Sequence, residues 1–311
     1  MSVPTSPSPA SAAQRPRVAF QGERGAYSED AIAAHWRGRA EPVPARDSAA
    51  VVRAVKLGAV DYGLLPIENT IAGSVGTTYD ALEEAEGLSI VGEVVTPIHH
   101  CLLAPRGASI ERLEVVESHP IALAQCRAFF EAHPALEARA AYDTAGAARE
   151  VAARGDPRFG AIAGRAAAER FGLAVLAPDI EDRPDNQTRF LVLATHSSAS
   201  GRGGSSAALP AGTPARTAII AVAANVPGSL VRLLQPLSDA GFNMSKLESR
   251  PTGSPWTYQF FVEFEHAAND ASLAPTLDAM RSAASSLTVL GTFARDMGAA
   301  APAPEAVDVV A

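Results

Sequence analysis

Between Ser197 and Pro214 the chain turns to Ser, Gly, Ala and Pro, a composition that cannot bury a core and reads as a flexible linker. It splits the 311 residues into two units with different element orders. Before it, strand-like and helix-like stretches alternate. Strand signals fall at 18–20, 61–67, 90–95, 101–104, 113–118, 138–142, 159–163 and 173–177. Helical patterns fall at 26–36, 49–57, 79–85, 121–132, 144–154 and 165–171. That alternation predicts an α/β sandwich with a largely parallel sheet. After the linker, strands at 217–225, 242–250, 258–265 and 288–293 flank helices at 229–240 and 273–286, the βαββαβ order of a ferredoxin-like unit.

Composition excludes several function classes. The chain is 47% hydrophobic, enough for a core, with a formal net charge of −8. An acidic chain without a basic cluster is a poor binder of nucleic acid or anionic membrane. No uncharged apolar run approaches the ~20 residues of a membrane span. Cys101 and Cys126 form neither a zinc spacing nor a Cys-x-x-Cys pair, and read as free thiols of a cytoplasmic protein. Residues 1–16 lack the apolar segment of a secretory signal. They are Ser-rich and acid-free like a transit peptide, but their four prolines favour a disordered tail, and the Ala/Pro-rich 297–311 reads the same way.

Four segments carry polar groups at the ends of expected strands, where open α/β sheets bind ligands. Gly22-Glu23-Arg24-Gly25-Ala26-Tyr27-Ser28 joins a strand to a helix start, whose backbone N–H groups suit a carboxylate. It lacks the Lys-Ser/Thr of a phosphate loop, and taken alone it fits an ordinary βα turn capped by Tyr27 or Ser28 better than an anion site. Glu68-Asn69-Thr70 offers neutral donors and acceptors, or a loop that satisfies its own backbone. Ser118-His119 precedes a helix bearing Gln125; His119 is a candidate base or a cap. With His99 and His100 it lacks a matching carboxylate spacing, so no metal is expected. Last, Asn186-Gln187-Thr188-Arg189-Phe190 sets a hydroxyl and a guanidinium at the head of an apolar strand.

Taken together and in this order, the four segments resemble the motifs of the prephenate dehydratase domain, over about Arg17 to Ala194. The unit after the linker resembles an ACT regulatory module. Its Asn225, Pro227, Gly228, Ser229, Leu230 and Val231, and its Glu248, Ser249, Arg250 and Pro251, look like that module's two phenylalanine-binding motifs. Ser229 stands where the family usually has Ala. The N-terminal chorismate mutase domain of some relatives has no counterpart in residues 1–16.

The resemblance implies a bilobal catalytic domain of the type II periplasmic-binding-protein kind over 17–196, then an ACT domain over 216–296 joined by 197–215. Lobe 1 would hold about 17–96 and 180–196, and lobe 2 about 97–179. It implies a hydro-lyase that turns prephenate into phenylpyruvate with loss of water and CO2 in phenylalanine biosynthesis. No cofactor is implied; the partners are prephenate, L-phenylalanine as effector, and further copies in a homodimer or homotetramer. Arogenate dehydration and a non-catalytic carboxylate sensor are the alternatives.

Under this resemblance Arg189 is expected to hold the pyruvyl carboxylate, as a guanidinium does bidentately, and Thr188 to donate to the leaving hydroxyl. Asn69, Thr70 and Gln125 would orient the ring, and Phe190 would wall the departing carboxylate. Tyr27, Ser28, Glu68, Ser118 and His119 complete the expected substrate contacts, with Glu68 the candidate partner for the ammonium of arogenate.

Overall fold

The computed structural model describes residues 15–196 and 209–296. Residues 1–14 of the expected N-terminal tail, the expected C-terminal tail and most of the expected linker lie outside those residues.

Lobe 1 is built on a sheet in the order β2-β1-β3-β11-β5, with β4 beside β3. Its strands are β1 (Arg17–Gln21), β2 (Glu41–Ala45), β3 (Tyr62–Asn69), β4 (Gly73–Ser74), β5 (Leu88–Pro97) and β11 (Gln187–Thr195). Helices α1 (Tyr27–His35), α2 (Ser48–Lys56) and α3 (Gly76–Glu83) cover it. Lobe 2 has the order β10-β6-β9-β7-β8. These strands are β6 (Cys101–Ala104), β7 (Val115–Ser118), β8 (Glu137–Ala140), β9 (Phe159–Ala163) and β10 (Ala174–Ala177). Around them lie α4 (Pro120–Ala124), α5 (Arg127–Ala132), α6 (Thr144–Arg154) and α7 (Arg165–Phe171).

The expectation of a largely parallel sheet is corrected to mixed sheets. β1 runs parallel to β2 and β3, and β7 parallel to β8 and β9. The strands that receive the chain after each lobe crossover, β6 and β11, pair antiparallel on both sides. The two crossovers clasp each other: Ile98 N–H donates to the Asn186 carbonyl at 2.8 Å, and Ile180 N–H to the His100 carbonyl at 2.9 Å.

Two local features were not expected. β2 carries Pro42 and Pro44, which cannot donate to a ladder, yet it forms because it lies at the sheet edge and pairs on one side only. The helix expected over 121–132 breaks into α4 and α5 at Gln125 and Cys126, with Gln125 as the C-cap of α4.

The third sheet, β13-β14-β12-β15, is antiparallel. It comprises β12 (Pro214–Val222), β13 (Asn243–Pro251), β14 (Tyr258–Ala267) and β15 (Ser286–Ala294). Helices α8 (Ser229–Asp239) and α9 (Leu273–Ala283) pack on one face, burying Leu233, Leu237 and Met280. The other face, through Ala218, Phe261, Leu290 and Phe293, shares one core with Val51, Tyr79, Leu191 and Leu193 of lobe 1. The approach is close at Gly291, where a Cβ would overlap the Ile90 carbonyl oxygen.

Candidate active site in the cleft between the lobes

Along β11 the side chains alternate between two faces, as any strand requires. Phe190, Val192 and Ala194 pack toward α1, while Leu191 and Leu193 pack toward α2, α3 and the third sheet. Thr188 follows the first set and Arg189 the second. Thr188 and Phe190 line a cleft of about 400 Å³ between the lobes, and Arg189 is on the far side of the sheet from it.

The cleft wall is a chain of hydrogen bonds. Asn69 Nδ2 donates to Thr188 Oγ1 at 3.0 Å, Asn186 Oδ1 at 2.8 Å and the Gln187 carbonyl at 3.0 Å. Its Oδ1 accepts from the amides of Ile71 and Ala72 and from Gln125 Nε2. Gln125 Oε1 accepts from Asn186 Nδ2 at 3.1 Å and lies 2.8 Å from His100 Nε2. An amide oxygen only accepts, so His100 carries its proton on Nε2. Its Nδ1 then accepts from the Tyr27 hydroxyl at 2.7 Å. Burial depresses the His100 pKa, and burial raises that of Tyr27 well above 10.0. Both groups are therefore neutral near pH 7. Thr188 already accepts from Asn69, so its own hydroxyl proton is free to donate into the cleft.

Among the described lining residues there is no Lys or Arg. Helix starts take that place. Tyr27 and Ser28 open α1, Val75 caps α3, His119 caps α4, and Asp143 with Thr144 open α6. Unpaired N–H groups and the positive end of the helix dipole suit a carboxylate. Asp143 is the acidic exception. Burial raises its pKa, with the Gly146 amide acting in the opposite direction.

Of the expected site residues, the cleft gathers Tyr27, Ser28, Asn69, His119, Gln125, Thr188 and Phe190. It does not gather Arg189, Glu68, Thr70 or Ser118. Arg189 and Glu68 are paired with each other at 3.4 Å on the face opposite the cleft, because each is one residue from a cleft residue on its strand. Thr70 clamps the return crossover: its hydroxyl accepts from Gln187 N–H at 2.9 Å and donates to the Asp185 carbonyl. Ser118 is fully buried inside lobe 2, donating to the Ile162 carbonyl at 2.6 Å.

The sequence reading missed Gln21, Ile98, Tyr142, Asp143 and Thr144, and gave His100 no place in the site. The signals were present: four of the six follow the carboxyl end of a strand or end it, and Asp-Thr before an Ala-rich run is a helix-start pattern. His99 does meet carboxylates, those of Asp179 and Glu181. Both Glu181 oxygens already face donors, His99 Nδ1 and His100 N–H, each at 2.8 Å.

The two motifs of the third sheet are placed as follows. Asn225 to Gly228 connect β12 to α8, with Gly228 left-handed at φ 78° as its N-cap. Asn225 Nδ2 reaches the Trp256 carbonyl, in the hairpin that follows Pro251. Ser229 begins α8, Leu230 packs on its core and Val231 is exposed. Glu248 accepts from Ser74 Oγ at 2.7 Å and Arg250 pairs with Asp80, so both touch lobe 1.

The prephenate dehydratase family profile matches residues 18–198, and the ACT domain profile residues 217–281. The chain belongs to the prephenate dehydratase family. Accordingly it is a carbon–oxygen lyase with an ACT regulatory domain. It is 38% identical to arogenate dehydratase 2 of Petunia hybrida, over 92% of this chain and 73% of that one. It is 37% identical to the bifunctional chorismate mutase/prephenate dehydratase of Neisseria gonorrhoeae, over 91% of this chain and 75% of that one. Among solved structures it resembles the prephenate dehydratase of Arthrobacter aurescens in complex with L-Phe, with a TM-score of 0.79 and 29% identity over 90% of each chain.

Proposed function

We propose that the cleft dehydrates and decarboxylates prephenate to phenylpyruvate, with Thr188 donating to the ring hydroxyl as it leaves. The observation that carries this is the Asn69–Thr188 hydrogen bond, which turns the threonine proton toward the cleft. The ring becomes aromatic as the C–O and C–CO2 bonds break, so the driving force lies in the substrate. The site has to place it and stabilise the developing charge on oxygen.

The surviving pyruvyl carboxylate is anchored by the open amides of Tyr27 and Ser28 rather than by Arg189. The carboxylate that departs lies against Phe190 and Ile98, where no cation holds it back. Gln125 and Asn69, locked by the hydrogen bonds above, hold the ring by neutral contacts. Arogenate is the weaker substrate on this reading. Glu68, the expected partner for its ammonium, faces away from the cleft, although the similarity to an arogenate dehydratase makes the comparison necessary.

L-Phenylalanine acts as feedback effector through Asn225–Val231 and Glu248–Pro251, as the likeness to the L-Phe complex supports. Because Glu248 and Arg250 already touch lobe 1 within one chain, effector binding at these residues acts directly on the catalytic domain. The protein works as a homodimer or homotetramer in the cytoplasm, in keeping with two buried free thiols.

The test is to supply prephenate and arogenate separately to the purified protein and follow phenylpyruvate and phenylalanine. Turnover of prephenate, slowed by added L-phenylalanine, is expected. Absence of turnover on either substrate sinks the assignment.

A further inference from the structure

Two residues of the cleft and two of the domain seam are neighbours in the same ladder. Thr188 pairs with Asn69 and Arg189 with Glu68, on adjacent rungs between β11 and β3. Asn69 and Thr188 face the cleft. Glu68 and Arg189 face the ACT sheet, which takes hold of both. Lys246 of β13 lies 2.9 Å from Glu68. Glu263 of β14, with no exposed surface, meets Arg189 through both oxygens, at 2.8 and 3.1 Å.

These pairs belong to a larger charge cluster across the seam. Glu93 of β5 accepts from Arg189 at 3.1 Å and from Arg216 of β12 at 2.5 Å. Arg216 and Arg295 then share Glu265, at 3.0 and 2.9 Å. Four carboxylates (Glu68, Glu93, Glu263, Glu265) face four cations (Arg189, Arg216, Lys246, Arg295), so the cluster is neutral as a whole. Burial alone would lower the Arg189 pKa, but Glu263 and then Glu93 more than offset it, and Arg189 stays charged. A buried pair of this kind need not add net stability, but losing one partner strands the other's charge, so the two stay together.

The ladder supplies that geometry on one side of β11 only. On the β3 side it slips by one residue between Arg189 and Phe190, next to Thr188, whereas on the β5 side it stays regular from Gln187 to Val192. Side-chain anchors on the opposite face add a second hold on the β3 side of the strand end, where the register slips.

We propose that Glu68 and Arg189 are positioning residues: held by Lys246 and Glu263 of the ACT sheet, they set where Asn69 and Thr188 stand in the cleft. The ACT sheet is then part of the catalytic constellation, and anything that moves it moves the threonine. The kinetic side of this claim rests on the reaction assigned above; the structural side does not.

Two variants of the full chain test it. Glu263→Gln removes the charge while keeping the shape. Arg189→Met with Glu263→Leu removes one charge of each sign, leaves the cluster neutral and guards against a folding defect. In both, kcat should fall about tenfold or more while KM stays within about twofold, the signature of a lost transition-state contact. Amide exchange should quicken at 66–70 and 186–190 and stay unchanged in lobe 2. Arg281→Gln, which breaks an exposed pair on α9, should change neither. Unchanged kcat and unchanged exchange at those two segments in both variants overturns the proposal. If the wild-type protein fails to turn over prephenate, the reaction assignment falls, and the exchange pattern alone decides whether the seam holds the cleft.

Discussion

Asn69 Nδ2 lies 3.0 Å from Thr188 Oγ1, across one rung of the antiparallel ladder that joins β3 to β11. The same amide nitrogen also reaches Asn186 Oδ1 and the Gln187 carbonyl, and its oxygen is held by two backbone amides. Asn69 is therefore fixed from several sides, and the threonine inherits that fixed direction.

Thr188→Val keeps the shape of the side chain and removes the donor. Turnover should fall on the order of a hundredfold, about 3 kcal/mol of transition-state stabilisation, with KM little changed. Thr188→Ser should restore most of it. Steady-state formation of phenylpyruvate measures both, and full activity in Thr188→Val would remove the threonine from the mechanism.

His100 should make the protein less stable in mild acid. Burial lowers its folded pKa below 6.5, with Gln125 and Glu181 opposing and His99 assisting. Below that value the unfolded chain takes a proton that the folded chain refuses. Its contribution is thus present above about pH 6.5 and is lost as pH falls. Melting temperatures between pH 5 and 7.5 should decline on the acid side, and less steeply in His100→Gln. Equal slopes would show that the imidazole does not resist charging.

Gly291→Ala should loosen the seam between the domains. The new methyl group meets the Ile90 carbonyl, which belongs to a strand and cannot swing away. Overpacking of this sort costs on the order of 1–3 kcal/mol. Thermal unfolding should show the loss, and amide exchange should rise along β5 and β15 together. A variant as stable as the parent would mean that the strands separate there at no cost.

Both thiols should be silent in the folded protein. Cys101 and Cys126 have 1% and 0% of their surface exposed. Burial raises both thiol pKa values, that of Cys126 to about 12. The thiolate is the reactive form, so a colorimetric thiol reagent should count none in the native state and two after denaturation. Rapid native labelling of either would contradict the packing of lobe 2.

Much of the scaffold was legible in the sequence because strong local patterns wrote it. β6, β9, α6 and α7 have the bounds that their apolar runs and caps imply. β2 was hidden by its prolines, which an edge position tolerates. The split at Gln125 was hidden because nothing local ends a helix there; the carbonyl and side chain of Gln125 are drawn into contacts with Asp182, His100 and Asn186. The error over Arg189 has a different origin. Adjacent residues on a strand face opposite ways, so Thr188 and Arg189 were never going to share one ligand while β11 stayed regular. The sequence does not say which face borders the cleft and which a second domain, and a guanidinium beside a hydroxyl invited the wrong choice.

The alternation along β11 exposes the protein to one kind of genetic accident. Inserting or deleting a single codon between Arg189 and the packed apolar run from Phe190 would turn Thr188 and Arg189 to opposite faces. The arginine would then project into the reaction chamber, and the threonine would be buried against Glu93 and Glu263, leaving Arg216 alone to balance both carboxylates. At this point of the strand a change of length is more damaging than most changes of side chain.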